Sequence, residues 1–394
     1  MTRYRYLIIG GGMTADAAAH GIRKHDTRGS IGLISAEPHA PYNRPPLSKG
    51  LWKGEAEDSI WRKTAETGAQ VHLERRAVQL DTRRRQVTDA QGATYAYERL
   101  LLATGGTPRR LASAPDDIIY FRTLDDYRRA RELADRHSRF VVIGGGFIGS
   151  EVAAALRMQQ CEVTLIVPQA GLGSRVLPGD LSGHLVEHYR AKGVTVLTGE
   201  SVERVEAADA GYRVHTKRAG VVTADAVVAG LGIALNVELA EQAGLTLQDG
   251  IVVDEQLRTS LPDVYAAGDV ASFPSPALGK RIRVEHEDNA NTMGDVAGQN
   301  MAGAGRRYEH LPLFYSDLFE LGYEAVGDVD ARHATVADWK EPMKEGVVYY
   351  LEGGRVRGVL LWNTWEQVDA ARALIAAPGP FHAADLKGRL PAPR

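Results

Sequence analysis

The sequence predicts an α/β protein organised around two strand–turn–helix units, and two stretches of the chain indicate this. Leu7–Ala15 and Val141–Gly149 each begin as an apolar run, reach glycines in the pattern Gly-x-Gly-x-x-Gly/Ala, and continue into an alanine-rich segment. Glycine permits a sharp turn and a close approach of the backbone to a pyrophosphate, and the helix that follows directs its positive end at the phosphates. The alternative is a pair of ordinary glycine turns, since one such match is weak. Two copies in one chain favour two dinucleotide-binding units.

The composition excludes several classes of protein. A chain of 394 residues has room for two or three domains, and its hydrophobic content of 44% is ordinary for a globular protein. The net charge of −3 gives no reason to expect attraction to nucleic acid or to a membrane surface. We find no apolar run long enough to span a bilayer, and the first strand begins too close to Met1 to leave room for a targeting peptide. We therefore expect a cytoplasmic protein with no nucleic-acid partner and no membrane span.

Cysteine usage also limits the chemistry. Cys161 is the single cysteine of the chain, so neither an internal disulfide nor a redox dithiol nor a thiolate metal cluster can form. Because Cys161 opens a predicted buried strand, we interpret it as a small core residue. We predict no metal site.

The first unit carries an acidic residue at a position typical of ribose recognition. We predict a strand over residues 4–9, a helix over 12–24 and a second strand over 30–35, with Glu37 just past its end. A carboxylate there can accept hydrogen bonds from two ribose hydroxyls. The alternative is a solvated loop glutamate. In the second unit, Gln169 stands at the equivalent position.

A proline-rich segment follows the second strand. Three prolines stiffen residues 41–49, which carry the cations Arg44 and Lys49. A rigid loop with these cations near a phosphate site suits contacts to an anion. Taken alone, the segment would favour the alternative, a proline-rich surface turn.

The rest of the chain continues as mixed helix and strand. We expect Asp125 to cap a helix with Ala130, Leu133 and Ala134 inward, and the residues after 376 to form a loose extension with some packing. Strands are predicted within 71–102, at 140–143, 162–167, within 194–228, at 251–254 and 264–269, and as a hairpin of 346–351 and 356–361; further helices are predicted at 180–192, 286–301 and 366–376.

Together these residues carry a recognisable signature. The chain resembles the two-dinucleotide flavoprotein reductases that include putidaredoxin-type ferredoxin reductases, rubredoxin reductases and apoptosis-inducing factor. The resemblance spans nearly the whole chain and is most specific at residues 41–49, 141–151 and 265–269, with support from 232–240 and 284–301. Several features are closer to apoptosis-inducing factor within that group, namely Phe147, Glu285-His286 and the segments 314–317, 322–325 and 359–363.

The resemblance implies an architecture. It is α/β, with two Rossmann-like dinucleotide-binding domains, for FAD and NAD, and an α+β C-terminal interface domain. Residues 1–108 and 233–309 would form a discontinuous FAD domain. Residues 109–232 would form the NAD(P) domain, and 310–394 the interface or dimerisation domain.

The resemblance also implies site residues. Lys49, Glu151, Phe147 and His286 would act at the flavin: Lys49 near N5 in an ion pair with Glu151, Phe147 against the flavin face until nicotinamide replaces it, and His286 near the pyrimidine side. Glu285 would bind the nicotinamide amide, Arg44 the FAD pyrophosphate, and Asp269 ribityl or phosphate oxygens. The full set of implied cofactor-binding residues is Gly10, Gly12, Met13, Thr14, Ala15, Glu37, Arg44, Pro45, Lys49, Ala103, Thr104, Gly105, Gly268, Asp269, Glu285, His286, Gly144, Gly146, Phe147, Ile148, Gly149, Gln169 and Gly232.

Three departures from the family pattern narrow the expectation. Asn43 stands in the loop where thiol-dependent members carry a cysteine, which rules out disulfide chemistry. Gln169 replaces the acid frequent in NADH-preferring relatives and Arg175 lies close by in sequence, so we expect NADH and leave NADPH open. The loop after Lys49 is short, which leaves a death-signalling role unsupported.

These observations lead to two functional hypotheses. The first is an FAD-dependent NAD(P)H oxidoreductase that passes electrons from NADH to a small iron–sulfur protein, either a [2Fe–2S] ferredoxin or a rubredoxin. The alternative is an NADH-responsive flavoprotein similar to apoptosis-inducing factor, which forms a charge-transfer complex and an NADH-dependent homodimer and has slow NADH oxidase or quinone reductase activity.

Overall fold

The structure is a computed structural model that describes residues 1–390. Its helices are α1 Met13–Arg23, α2 Leu124–Ala134, α3 Phe147–Met158, α4 Gly179–Ala191, α5 Glu238–Gln242, α6 Glu287–Met301, α7 Val368–Ala376 and α8 Ala383–Leu386. The strands up to residue 143 are β1 Thr2–Ile9, β2 Ile31–Ile34, β3 Gln70–His72, β4 Ala77–Asp81, β5 Gln86–Asp89, β6 Thr94–Leu102, β7 Gly106–Pro108, β8 Ile119–Tyr120 and β9 Arg139–Ile143. Those up to residue 282 are β10 Glu162–Val167, β11 Thr195–Thr198, β12 Val202–Ala207, β13 Tyr212–Thr216, β14 Val221–Ala224, β15 Ala226–Ala229, β16 Ile233–Leu235, β17 Ile251–Val252, β18 Val264–Ala266, β19 Ala271–Ser275 and β20 Lys280–Ile282. The remaining strands are β21 Leu313–Leu318, β22 Leu321–Gly327, β23 Ala334–Glu341, β24 Glu345–Glu352 and β25 Arg355–Trp362.

The chain divides into two compact units. The first comprises Met1–Arg44, Ala56–Thr107 and Ala234–Pro312, and the second comprises Pro45–Glu55, Pro108–Ile233 and the described residues from Leu313 onward. The segment that carries Lys49 thus belongs to the second unit, and this division keeps residues 109–232 together with residues 313–390. The three-domain boundaries expected from the sequence therefore stay a prediction.

The first unit is built on a parallel sheet. Strands β3, β2, β1, β6 and β18 lie side by side in that order, and all neighbours run parallel. In this register Ile9 pairs with both Ile34 and Leu102. Because parallel strands end at the same edge of a sheet, the residues that follow β1, β2, β6 and β18 meet at one edge, where ligands bind in such folds.

Close packing of two helices supports that edge. A Cβ atom built on Gly298 of α6 would lie 2.0 Å from the carbonyl oxygen of Ala18 on α1, and one on Gly294 would lie 2.5 Å from the carbonyl oxygen of Thr14. Only glycine fits at either position, since real Cβ contacts do not fall below 3.0 Å. The two helices consequently pack backbone to backbone beneath the first glycine turn.

The second unit contains a second parallel sheet and two antiparallel sheets. Strands β11, β10, β9, β15 and β8 run parallel in that order, with Ile143 paired with Ile166 and Ala229. The larger antiparallel sheet has the order β21, β22, β25, β24 and β23, and the smaller one has the order β12, β13 and β14. Together with the parallel sheet of the first unit, these confirm the predicted α/β class.

Two local predictions are corrected, and the predicted packing of the tail is located. Helix α2 is capped by Thr123, whose hydroxyl accepts from the backbone N–H of Asp126 in a capping box, and not by Asp125. Strand β18 ends at Ala266, because Gly268 has φ +78° and opens a 3₁₀ turn over Gly268–Val270. The tail after residue 376 contains helix α8 and buries Leu386 and Leu390, whereas residues 391–394 lie outside the described chain.

Every helix within residues 1–390 is too short or too polar to cross a membrane.

Candidate active site

The first glycine turn leaves an open space at the start of α1. Gly10 has φ +134°, and a Cβ there would lie 2.1 Å from the carbonyl oxygen of Ala103. Gly12 is the N-cap of α1 without a side-chain hydrogen bond, and a Cβ there would meet nothing within 4 Å. The helix follows at Met13, with Thr14 and Ala15 buried in its first turn. Gly10 is therefore required by the fold, whereas Gly12 opens space in front of free N–H groups.

Glu37 and Arg44 contact each other at the end of β2. The Arg44 guanidinium donates to the Glu37 carboxylate, and the Tyr42 hydroxyl donates to the other Glu37 oxygen at 2.6 Å. The guanidinium also lies 5.1 Å over the Tyr42 ring. Although burial lowers the pKa of Arg44, the charges of Glu37, Tyr42 and Asp269 raise it overall. The ribose and pyrophosphate residues expected from the sequence thus lie together, with Asp269 near them.

Thr104 and Gly105 are held by a residue that the sequence analysis did not single out. The Thr104 hydroxyl donates to the Asn236 carbonyl at 2.6 Å, and the Asn236 side chain donates back to the Thr104 carbonyl at 2.9 Å. The Asn236 N–H donates to the Gly105 carbonyl at 3.0 Å. These bonds fix the turn after β6 at the sheet edge.

Glu285 and His286 precede α6, of which His286 is the N-cap. Arg283 donates to Glu285 at 2.8 Å, to Asp249 at 3.0 Å and to the Asp269 carbonyl at 3.3 Å. Burial lowers the pKa of His286 to about 4, against the opposing charges of Asp269 and Asp288. The imidazole is therefore neutral at pH 7.

This low pKa predicts an acid-sensitive stability. The unfolded chain binds a proton at His286 near pH 6.5, whereas the folded chain resists it down to about pH 4. The stabilisation is complete above pH 6.5 and is lost as the pH falls from 6.5 to 4, by about 2 to 3 kcal/mol. We expect His286→Gln to remove this part of the pH dependence in urea unfolding at pH 7.0, 5.5 and 4.5. If the free energy of unfolding changes equally with pH in the wild-type protein and in the variant, the assignment of this pH dependence to His286 is contradicted.

The second glycine turn repeats the first. Gly144 has φ +110°, and a Cβ there would lie 2.4 Å from the Gly230 carbonyl oxygen; one on Gly149 would lie 1.9 Å from the Gly144 carbonyl oxygen. Gly146 is the N-cap of α3 without a side-chain hydrogen bond, and its Cβ would meet nothing within 4 Å. Gly232 also borders open space, with φ +76°.

Two apolar residues and one amide flank this second turn. Phe147 and Ile148, the first residues of α3, are 39% and 38% exposed. The Phe147 ring meets the Phe314 ring edge-on at 5.2 Å between centroids. The Gln169 side chain is exposed after β10, and its carbonyl accepts from the Gly199 N–H at 2.9 Å.

Lys49 and Glu151 form a buried ion pair within the second unit. Lys49 Nζ lies 2.7 Å from Glu151 Oε2, and their side chains are 12% and 1% exposed. The Ser48 hydroxyl donates to the same oxygen at 2.6 Å, and the Ser316 hydroxyl donates to Oε1 at 2.6 Å. Pro45 opens the 3₁₀ turn that leads to this cluster.

Comparison with known proteins identifies the chain. Residues 4–294 match the family of pyridine nucleotide-disulphide oxidoreductases, and residues 297–345 match the C-terminal domain of mitochondrion-associated apoptosis-inducing factor. The chain belongs to the pyridine nucleotide-disulphide oxidoreductases. It is accordingly an FAD- and NAD(H)-dependent oxidoreductase, as the resemblance implied.

Individual relatives within this family cover nearly the whole chain. The ferredoxin–NAD(+) reductase component of the anthranilate 1,2-dioxygenase system of Burkholderia cepacia is 34% identical, over 96% of this chain and 97% of its own length. Apoptosis-inducing factor 1 of Dictyostelium discoideum is 31% identical, over 95% of this chain and 78% of its own length. The structure of the covalent putidaredoxin reductase–putidaredoxin complex superposes with a TM-score of 0.88 at 31% identity, covering 95% of this chain and 94% of the other.

The residues of this oxidoreductase fit both dinucleotides. Open space lies in front of Gly12 and Gly146, each at the start of a helix, and a Cβ at either position would stand in that space rather than against the protein. Backbone N–H groups at a helix start suit a pyrophosphate. FAD would be held at the first turn and NAD(H) at the second.

This family member lacks the thiols that the family description names. Cys161 is fully buried, and burial raises the pKa of its thiol. Asn43 accepts a hydrogen bond from Arg62 at 2.7 Å and thereby braces the loop before Arg44. With a single cysteine, the chain has no dithiol of its own that could accept electrons from the flavin.

The sequence analysis assigned no role to three residues of this site: Asn236, Arg283 and Ser316. Asn236 and Ser316 fall inside the segments 232–240 and 314–317 that supported the resemblance, so their positions carried a signal. Arg283 lies outside those segments, and its contacts depend on the folded chain.

Proposed function

We propose that this chain is a cytoplasmic NADH-dependent reductase that passes electrons through FAD to a small iron–sulfur protein of the ferredoxin or rubredoxin type. Two glycine turns with room for a pyrophosphate lie in a chain whose single thiol is buried, and this observation supports the proposal most. An external acceptor is then needed. Bound FAD supplies the chemistry, because it takes electrons as a pair and releases them singly, as iron–sulfur carriers require. Relatives named as ferredoxin–NAD(+) reductases agree with this proposal.

For the first turn we assign the FAD contacts. The backbone at Gly10 and Gly12 binds the pyrophosphate, Glu37 accepts from the ribose hydroxyls, and Arg44 balances the phosphate charge. Asp269 accepts from the ribityl hydroxyls. The positive end of α6, which follows His286, stabilises negative charge on reduced flavin.

For the second turn we assign the NADH contacts. The backbone at Gly144, Gly146 and Gly149 would receive the pyrophosphate, and Phe147 would give way to the nicotinamide. Glu285 accepts a hydrogen bond from the carboxamide. These groups align the nicotinamide with the flavin, and alignment is what a direct hydride transfer chiefly needs.

Lys49 and Glu151 supply the charge at the reacting end. The Lys49 cation would favour electron density on the reduced flavin ring, and the Glu151 carboxylate holds this cation in a buried position. His286 is neutral at pH 7, so we assign it a packing role beside the flavin and not the role of a proton donor.

Stopped-flow reoxidation tests this function. The NADH-reduced holoprotein is mixed anaerobically with acidic [2Fe–2S] ferredoxins and rubredoxins at low salt, where charge steering between partners is strongest. We expect fast flavin reoxidation with at least one carrier, and slower reaction at high salt. Reoxidation no faster than with oxygen for every carrier would contradict the acceptor.

The exposed Gln169 predicts how nucleotide preference responds to charge. We propose that its side chain lies near the adenosine ribose, where glutamine neither repels a 2′-phosphate nor accepts as strongly as a carboxylate. We expect Gln169→Glu to weaken NADPH binding about tenfold relative to NADH, which is about 1.4 kcal/mol. The matched control is Gln248→Glu, which changes the net charge equally on an exposed residue of the other unit. An unchanged NADPH/NADH ratio of dissociation constants would count against this position.

A second function has its own support. Phe147 is exposed and contacts Phe314, and residues 297–345 match the apoptosis-inducing factor domain. We propose as the alternative an NADH-responsive flavoprotein whose homodimer forms when nicotinamide displaces Phe147. Light scattering with and without NADH distinguishes the two, because an unchanged mass removes the alternative.

A further inference from the structure

Strand β21 contacts helix α3 through alternate residues. The Phe314 ring meets the ring of Phe147, and the Ser316 hydroxyl donates to Glu151 at 2.6 Å. Phe147 and Glu151 are four residues apart on α3 and hence share one helix face. One face of β21 therefore lies on the same face of the helix that begins at the second glycine turn.

The intervening residues of β21 contact the Lys49 segment. The Tyr315 ring centroid lies 5.0 Å from Lys49 Nζ, and the Asp317 carboxylate lies 2.8 Å from Lys53 Nζ. Successive side chains of a strand point to opposite faces, so alternate residues of β21 meet α3 and residues 45–55. Two adjacent residues of this strand thus contact the Lys49–Glu151 pair, Tyr315 at Lys49 and Ser316 at Glu151.

The Glu151 carboxylate depends on this strand for one of its oxygens. Oε2 accepts from Lys49 at 2.7 Å and from Ser48 at 2.6 Å. Within residues 1–390, Oε1 accepts from Ser316 alone. Both Glu151 and Ser316 are 1–2% exposed, so water does not replace a missing donor. The charge of Glu151 also raises the pKa of Tyr323, which burial raises already.

We propose that Ser316 is a positioning residue for the Lys49–Glu151 pair. Its hydroxyl holds the Glu151 carboxylate in the orientation that presents Oε2 to Lys49, and thereby fixes the ammonium group where the reaction uses it. This inference rests on the proposed function, in which the Lys49 cation favours reduced flavin.

The physical reason lies in the burial of the carboxylate. A buried oxygen without a donor is costly, so a carboxylate that loses one donor turns that oxygen toward another polar group. The turned carboxylate no longer presents Oε2 squarely to Lys49, and the ammonium group is held less firmly. Reduced flavin loses the stabilisation that the fixed cation provided.

The test compares Ser316→Ala with wild-type holoprotein in two measurements. One is the equilibrium ratio of reduced to oxidised flavin against a redox dye, and the other is the rate of flavin reduction by NADH. We expect the ratio to fall about tenfold in Ser316→Ala, which is about 30 mV for a two-electron couple. We expect the rate to fall about tenfold as well. Ser316→Thr keeps the hydroxyl and is expected to restore both values.

A matched control separates positioning from packing. Ser182 is equally buried in the same unit, and its hydroxyl donates to the Leu172 carbonyl at 2.7 Å, away from the ion pair. Ser182→Ala is expected to leave the dye equilibrium at the wild-type value. A wild-type equilibrium for Ser316→Ala, or an equal shift for Ser182→Ala, would overturn the inference.

Two further outcomes remain decisive. If Ser316→Ala does not yield holoprotein, Ser316→Cys is measured instead, because cysteine is similar in size to serine and is a weaker donor. A smaller shift of the dye equilibrium in the same direction supports the inference, and an unchanged equilibrium overturns it. If wild-type flavin is not reduced by NADH, the proposed function fails, but the dye equilibrium still decides the role of Ser316.

Discussion

Lys49→Met is expected to lower the free energy of unfolding by about 3 to 5 kcal/mol. The substitution leaves the Glu151 carboxylate, at 1% exposure, without its counter-ion and with only the Ser48 and Ser316 hydroxyls as side-chain donors among residues 1–390. A buried ion that loses its partner costs more than the pair itself contributes. Urea unfolding of the holoprotein at pH 7 measures the loss.

A double-mutant cycle isolates the pair from other effects of the substitution. Glu151→Gln removes the charge, and the double variant Lys49→Met/Glu151→Gln is expected to recover a large part of the loss, with a coupling energy of about 2 kcal/mol or more. The exposed pair Arg136–Glu132, with both side chains 67% exposed, provides the control, for which we expect less than about 0.5 kcal/mol. Additive effects for Lys49 and Glu151 would show that the pair is not coupled.

Gly146→Ala is expected to weaken NADH binding about 100-fold, or about 3 kcal/mol, and to leave the fold and the FAD content unchanged. The added Cβ meets no protein atom within 4 Å, so the fold tolerates it. It stands at the helix start where we propose that the pyrophosphate approaches the backbone. Titration of the holoprotein with NADH, followed by thermal unfolding, measures both quantities.

Gly12→Ala is the complementary variant for the first glycine turn, to which we assign FAD. It is expected to lower FAD content by a similar factor while the apoprotein keeps its helical circular dichroism, because its Cβ also meets no protein atom within 4 Å. Gly183→Ala, within α4, likewise adds a methyl group into open space and serves as the control. Unchanged NADH binding in Gly146→Ala, or equal losses of NADH binding and FAD content in Gly183→Ala, would contradict the assignment of the two glycine turns.

The parts of the fold that follow from local sequence were predicted well. The turns at Gly10 and Gly144 were predicted because the steric need for glycine falls within one short segment, and the structure gives the reason in the carbonyl oxygens that a Cβ would strike. Strand β10 was predicted at its observed bounds, since four of its six residues are apolar and buried, and they are Val163, Leu165, Ile166 and Val167.

Other features needed more than local pattern. Lys49 and Glu151 are 102 residues apart, so no periodicity could join them, and their pairing came from the family resemblance. The cap of α2 was misassigned because Asp125 is an acceptable cap by type, although Thr123 followed three residues later by Asp126 carried the capping-box signal.

The contacts of Ser316 and Arg283 show where sequence reasoning ends. A serine in a strand has no local feature that indicates a buried carboxylate 165 residues away as its acceptor. Arg283 contacts Glu285 two residues on but also Asp249 and the Asp269 carbonyl, and only the folded sheet edge brings these together. Side-chain partners of this kind follow from topology.

Anaerobic titration of the yellow holoprotein with NADH, recorded in the visible spectrum, tests the central claim most directly. We expect full bleaching of the flavin bands at one equivalent of NADH, and full recovery of the oxidised spectrum when a ferredoxin or rubredoxin is added. Bleaching that leaves a persistent long-wavelength band and no recovery with any carrier would support the NADH-responsive alternative. An unchanged spectrum with both NADH and NADPH would contradict the assignment of the second glycine turn as the site that feeds electrons to FAD.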